Sequence, residues 1–191
     1  MTRIGRLVAL LAAILFASVP ARAQGEISGF GGLASLSPGS PHGGVFGAKA
    51  GIWIAQHLQL FGEYSRVPLD PSYYLTYMQG ALARIDYTRR YDLVGGGLLI
   101  RFLADRKVQP FVVIPHVAAA RYTLSKNLTG NSNQTDLAVG AGGGVRLYCG
   151  ENWGIQPEYR AEGFVNPSDL LGRSFGGHIL TAGLFLQFGG K

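Results

Sequence analysis

The chain has 191 residues, 47% of them hydrophobic, 29 of them glycine and only 15% charged, which is too apolar for a disordered chain and too rich in glycine for a helical bundle. The formal charge of +6 does not point to nucleic acid. Arg3, Arg6 and Arg22 belong to an N-terminal leader, and the remaining 14 Lys+Arg against 11 Asp+Glu leave +3, with no basic cluster interleaved with aromatics.

Residues 1–23 read as a cleaved signal peptide: Arg3 and Arg6, an apolar run from Leu7 to Val19, then Ala21-Arg22-Ala23 as the small-x-small cleavage pattern. The apolar run is too short to cross roughly 30 Å of hydrocarbon as a helix, and no later stretch supplies the 18 or so uninterrupted apolar residues needed. Residues 24–191 are expected to form a single domain beginning at Gln24. Cys149 stands alone, so no intramolecular disulfide is available.

No segment after residue 23 holds an i, i+3, i+4, i+7 stripe over three turns without Gly or Pro intervening. Period-two alternation bounded by turn residues instead predicts strands at about 25–36, 44–55, 57–67, 87–102, 108–122, 136–149, 153–164 and 175–188. The fold class is therefore all-β. The connections at 37–43, 68–86, 123–135 and 165–174 are long and rich in Pro, Gly, Ser, Asn or Asp, whereas those near Gln56, at 103–107 and at 150–152 are short. Strict alternation of long and short is the asymmetry of a transmembrane antiparallel up-and-down β-barrel of about eight strands, with tight periplasmic turns at one rim and larger loops at the other. A weak repeat at 47–64, 95–111 and 142–159 matches one hairpin unit each.

The placement of charge favours a membrane barrel. Strand two puts Phe46, Ala48, Ala50, Ile52 and Ile54 on one face and Lys49 on the other, and strand three puts Glu63 opposite Lys49 if the hairpin centres on Gln56. Strands six and seven repeat the pattern: a hairpin centred on Asn152 sets Arg146 opposite Glu158, with Gln156, Arg160 and Glu162 on the same face as Glu158. An unpaired Arg or Lys facing lipid near the midplane costs roughly 2–4 kcal/mol, so Lys49, Glu63, Arg146, Glu158 and Arg160 are expected to form a charge network in the lumen. An eight-stranded barrel is just wide enough for side chains to fill. Trp53, Tyr64, Tyr91, Phe102, Phe111, Trp153, Tyr159 and Phe188 lie near the predicted rims and fit interfacial girdles, although Trp53 has lumen parity.

With its leader, glycine-rich alternating strands, Glu-Tyr hairpin returns and closing Leu184-Phe-Leu-Gln-Phe188, the chain resembles the small outer-membrane β-barrel family, which holds the transmembrane domain of outer membrane protein A and small porin-like relatives. The resemblance implies residence in the outer membrane and insertion by the barrel-assembly machinery, which in this family reads a last strand ending in an aromatic; Phe188 matches, followed here by Gly189-Gly190-Lys191.

A structural, porin-like or surface-binding role is the expected function, with no cofactor or metal. Arg84, Arg89 and Arg90, where the second long loop enters strand four, are candidates for contact with lipopolysaccharide phosphates. Two alternatives stand beside it. A lipid-modifying enzyme needs a nucleophile, a base and a carboxylate, and Ser168-Asp169 near His178 is the one candidate, since neither strand histidine, His116 or His178, has Ser or a carboxylate two residues away. An adhesin or receptor could use the second loop, where Pro68–Met78 carries three tyrosines.

Overall fold

The computed structural model describes residues 24–35, 43–78, 81–126, 130–165 and 176–189; for 69–78, 81–85, 87, 89, 124, 126 and 130–132 it describes the backbone alone. The leader at 1–23, His42 and the connections at 36–42 and 166–175 lie outside the described residues.

Eight strands follow one another round the sheet: β1 (Gln24–Ser35), β2 (Gly43–Ala55), β3 (Leu58–Met78), β4 (Ala81–Arg101), β5 (Val108–Lys126), β6 (Gly130–Tyr148), β7 (Trp153–Val165) and β8 (Gly176–Phe188). Each pairs antiparallel with the next, and β1 pairs with β8 from Gly25↔Phe188 to Ser35↔His178, so the sheet closes into a barrel. Closure leaves no free edge.

The side-chain alternation is inverted relative to a soluble protein. Ile27, Val94, Val117, Leu180, Leu184 and Leu186 on the exterior are 42–62% exposed, while Glu26, Lys49, Glu63, Arg146, Glu158 and Arg160 inside are at most 8% exposed. On β7 the alternation is unbroken from Trp153 to Phe164. Apolar residues outside and paired charges inside are stable only where the exterior solvent is lipid. No helix among the described residues is long and apolar enough to cross a membrane.

The sequence expectation for the long loops needs correction. Residues 68–86 and 123–135 are mostly strand, because β3 runs to Met78, β4 begins at Ala81, β5 runs to Lys126 and β6 begins at Gly130. The rims therefore differ in strand length more than in loop length: β3 to β6 have 19–21 residues, whereas β1, β2, β7 and β8 have 12–13. A two-stranded ladder can continue past the barrel because its own backbone bonds satisfy it, and residues of turn chemistry fit into it. Pro71, which has no N–H to give, falls in the irregularity between Leu69 and Ser72. Thr123 Oγ1 donates to Asn133 Oδ1 at 2.9 Å between β5 and β6.

A bulge decides which way β5 faces. Val113 points inward, Ile114 and Pro115 both point outward, and His116 points inward again, with the register shift between Val113 and His116. The extra residue resets the parity of the strand.

The expected girdle also needs correction. Tyr64, Phe102, Trp153, Tyr159 and Phe188 are 40–53% exposed on the exterior, but Trp53, Tyr91 and Phe111 are at most 5% exposed and point into the barrel.

Candidate functional site: the barrel interior and its exterior arginine row

The interior is layered along the barrel axis. Nearest the short turns, Arg101 is held by Gln56 O at 2.7 Å from Nε, by Gln109 Oε1 at 3.3 Å and Tyr148 OH at 3.2 Å from Nη1, and it lies 3.9 Å over the Trp53 ring. Above it, Arg146 grips Glu26 with both ends of its fork, Nη1 to Oε1 at 3.0 Å and Nη2 to Oε2 at 2.5 Å. Trp53 Nε1 (3.2 Å) and Gln187 Nε2 (2.9 Å) also donate to Glu26.

The next layer is a connected network. Lys49 Nζ lies 2.8 Å from Glu158 Oε2 and 3.5 Å from Glu63 Oε2. Arg160 bonds Glu158 Oε1 at 2.5 Å and Glu63 at 2.8 and 3.0 Å, and reaches Glu162 Oε1 at 3.4 Å. Arg160 Nη1 is 3.1 Å from His116 Nε2. The other ring nitrogen, Nδ1, stands 2.8 Å from Glu162 Oε1, close enough for an ion pair but off line for a hydrogen bond. Among the described residues the buried interior thus holds four strong cations, Lys49, Arg101, Arg146 and Arg160, against four glutamates, 26, 63, 158 and 162. Glutamate desolvated in this way stays charged only with such partners.

Glycines of β6 make the network possible. Gly140 is paired with His116 on one side and Glu162 on the other. A Cβ at Gly140 would come within 2.6 Å of the Ala161 carbonyl and 2.9 Å of the Glu162 carboxylate, so the bare backbone lets histidine and glutamate meet across the strand between them.

Toward the long hairpins the interior becomes mostly apolar, with Gln134 and Asp136 of β6, bonded to each other at 2.9 Å, on the inward face opposite Tyr122 and Ala120. Val45, Val67, Leu93, Tyr91, Tyr122 and Ile179, with Ala34, Ala118, Ala120 and Ala138, form one buried apolar cluster, with Phe30 and Phe164 packed against it. Tyr91 and Tyr122 rings sit 4.9 Å apart within it.

The structure brings Lys49 and Glu63 opposite each other, as the hairpin centred on Gln56 requires. It does not bring Arg146 opposite Glu158. The β6–β7 register pairs Gly144 with Glu158 and Leu147 with Ile155, which centres the hairpin on residue 151 instead of Asn152. That one-residue difference moves Arg146 to the level of Gln156, and its carboxylate partner is Glu26 of β1. Glu158 belongs to Lys49 and Arg160. Glu26, Arg101 and His116 were missed by the sequence reading. Lumen parity on β1 and β4 was the available signal for the first two; the β5 bulge hid the third.

On the exterior, one register row runs Phe46, Arg66, Asp92, Arg121 and Thr135 across β2 to β6. Asp92 Oδ1 accepts from Arg66 Nε at 2.7 Å and from Tyr64 OH at 2.9 Å, while its Oδ2 lies 3.0 Å from Arg90 Nε. Of the expected trio Arg84, Arg89 and Arg90, the last two are successive positions of β4 paired with Leu69 and Pro68, and Arg84 pairs with Leu75 six positions before Arg90, roughly 20 Å of strand. The side chains of Arg84 and Arg89 lie outside the described residues.

The candidate enzyme residues Ser168 and Asp169 also lie outside the described residues, and His178 Nδ1 is 2.6 Å from Tyr159 OH on the exterior face. No group of His, Cys, Asp and Glu with metal-holding geometry occurs among the described residues.

No family model and no curated protein sequence matches the chain. Solved structures do. Neisserial surface protein A superposes with a TM-score of 0.62 at 18% identity, covering 87% of this chain and 97% of that one. A major outer membrane protein from Thermus thermophilus gives 0.61 at 12% identity, covering 87% and 99%. Ail, the attachment invasion locus protein of Yersinia pestis, gives 0.59 at 12% identity, covering 87% and 99%. The chain has the fold of the small outer-membrane β-barrels. At these identities the likeness concerns the fold, and it extends over nearly the whole length of each similar barrel.

Proposed function

We propose that the protein is a sealed, non-enzymatic barrel of the outer membrane that serves as a mount for two long surface hairpins, β3–β4 and β5–β6, and not as a conduit. The observation that carries this reading is the apolar layer of Val67, Tyr91, Leu93, Tyr122 and Ile179, all at most 6% exposed, lying over the ionic network at the long-hairpin end. An ion moving along the axis would have to break a charge-balanced network and then cross a closely packed layer whose buried side chains are mostly hydrocarbon. The strand lengths support the second half of the reading. A membrane-crossing strand needs about 9–11 residues, and β4 has nine between Leu93 and Arg101 at the short-turn end. The dozen positions from Ala81 to Asp92 lie beyond it. Among the similar barrels, Ail is named for attachment and invasion and was solved in complex with the heparin analogue sucrose octasulfate, which agrees with a surface-binding role for hairpins of this kind.

Orientation is tested by thiol labelling on intact cells. Cys149 is exposed at the short-turn rim. A membrane-impermeant maleimide should leave native Cys149 unlabelled and should label a Thr76→Cys/Cys149→Ser protein. The reverse pattern would invert the barrel. Heat-modifiable mobility of residues 24–191 in detergent gels checks closure of the barrel itself.

A further inference from the structure

We propose that Arg66, Arg90 and Arg121, set around Asp92, form a binding site for the phosphate of a phosphorylated membrane glycolipid on the barrel exterior. The site stands where the exterior changes character. The row below, Ala48, Tyr64, Val94, Ala119 and Leu137, is apolar, and Tyr64, Val94 and Leu137 are 40–60% exposed to the lipid. The row above carries Arg90, Thr123 and Asn133 beside Pro68. Arginines on an exterior face are tolerated at such a boundary and not at the midplane.

Two guanidinium groups hold one carboxylate here and a third arginine, Arg121, is its cross-strand neighbour, an excess of two positive charges at the edge of an apolar band. Asp92 fixes Arg66 and Arg90 through Nε of each, at 2.7 and 3.0 Å. Arg66 is further steadied by the Tyr64 ring, 5.9 Å from its guanidinium carbon. Arg121 is opposite Asp92 in register and exposed, and its side chain makes no hydrogen bond or ion pair with a described residue. Planar guanidinium forks match the oxygens of phosphate, and three of them suit a group carrying nearly two negative charges. The apolar row directly below would lie against acyl chains, which a free phosphate lacks; that is the ground for assigning a glycolipid.

The inference rests on the orientation proposed above, which places this row at the outer leaflet, but its test is independent of orientation. Residues 24–191 in nonionic detergent are examined by native mass spectrometry with bisphosphorylated lipid A, dephosphorylated lipid A and inorganic phosphate. Bisphosphorylated lipid A should be retained, and the Arg66→Gln/Arg90→Gln/Arg121→Gln protein should retain it at least about tenfold less, the equivalent of one charge-assisted hydrogen bond. The Arg106→Gln/Lys107→Gln protein, altered at the opposite rim, should retain it fully. Heat-modifiable mobility reports whether the triple variant is folded. Arg121→Gln alone, which breaks no contact between described residues, should still weaken retention several-fold. Equal retention of dephosphorylated lipid A, or undiminished retention by Arg121→Gln and the triple variant, would overturn the site. Saturation by inorganic phosphate at the concentrations where lipid A binds would overturn the glycolipid assignment in favour of a soluble anion.

Discussion

Arg146 and Glu26 are 120 positions apart in the chain, yet they form a two-point ion pair at 3.0 and 2.5 Å inside the barrel, with Arg146 fully buried and Glu26 only 3% exposed. Their strands, β6 and β1, are not neighbours, so the pair forms across the interior and depends on closure. Removing one partner leaves the other buried and unpaired, at a cost of about 3–5 kcal/mol. In a double-mutant cycle of Arg146→Met and Glu26→Gln, followed by urea unfolding in lipid vesicles, the double variant should lose clearly less stability than the two single variants summed. Additivity would mean that the two groups do not touch.

The same measurement separates the partners of Lys49. Its ammonium lies 2.8 Å from Glu158 and 3.5 Å from Glu63, so the cycle of Lys49→Met with Glu158→Gln should give a larger coupling than the cycle with Glu63→Gln. Equal couplings would show that the ammonium sits midway between the two carboxylates.

Two glycines should respond oppositely to alanine. A Cβ at Gly140 meets the Ala161 carbonyl at 2.6 Å and the Glu162 carboxylate at 2.9 Å, whereas one at Gly29, on the exterior, meets nothing within 4 Å. Gly140→Ala should cost about 1–3 kcal/mol through overpacking. Gly29→Ala should be neutral or stabilising by up to about 1 kcal/mol, because alanine has less freedom to lose on folding. Similar unfolding midpoints for the two variants would contradict the account of Gly140 as the gap through which His116 meets Glu162.

The β3–β4 hairpin should be dispensable for the barrel. Replacing residues 70–88 with Asn-Gly joins the paired positions Leu69 and Arg89 by a two-residue turn. The shortened protein should keep its heat-modifiable mobility and lose no more than about 1 kcal/mol, since the buried apolar cluster and the ionic network lie below the cut. Loss of the heat shift would mean that the hairpin is part of the barrel wall.

The eight strands, their order and the inward and outward faces of β2, β3, β6, β7 and β8 were legible in the sequence because period two, combined with glycine-rich turns, leaves few alternatives. The upper ends of β3 to β6 were not, because Pro68, Pro71, Asn131 and Asn133 carry turn chemistry that a free-standing ladder absorbs. The partner of Arg146 was not legible either. Hairpin geometry gives only neighbours on adjacent strands, a one-residue error in the hairpin centre moves every pairing, and contacts across the lumen depend on how the cylinder closes. His116 faces Glu162 only because of the bulge at Ile114 and Pro115, which strict alternation does not anticipate.

The central claim, a lumen sealed by an ionic network and an apolar layer, is tested most directly by current recordings of residues 24–191 in a planar lipid bilayer, with folding verified by heat-modifiable mobility. The account predicts no current steps above baseline in high salt. Replacing Tyr91, Leu93 and Tyr122 with serine together should introduce steps by opening the apolar layer. Stable steps from the unaltered protein, scaling with salt concentration, would contradict a sealed barrel.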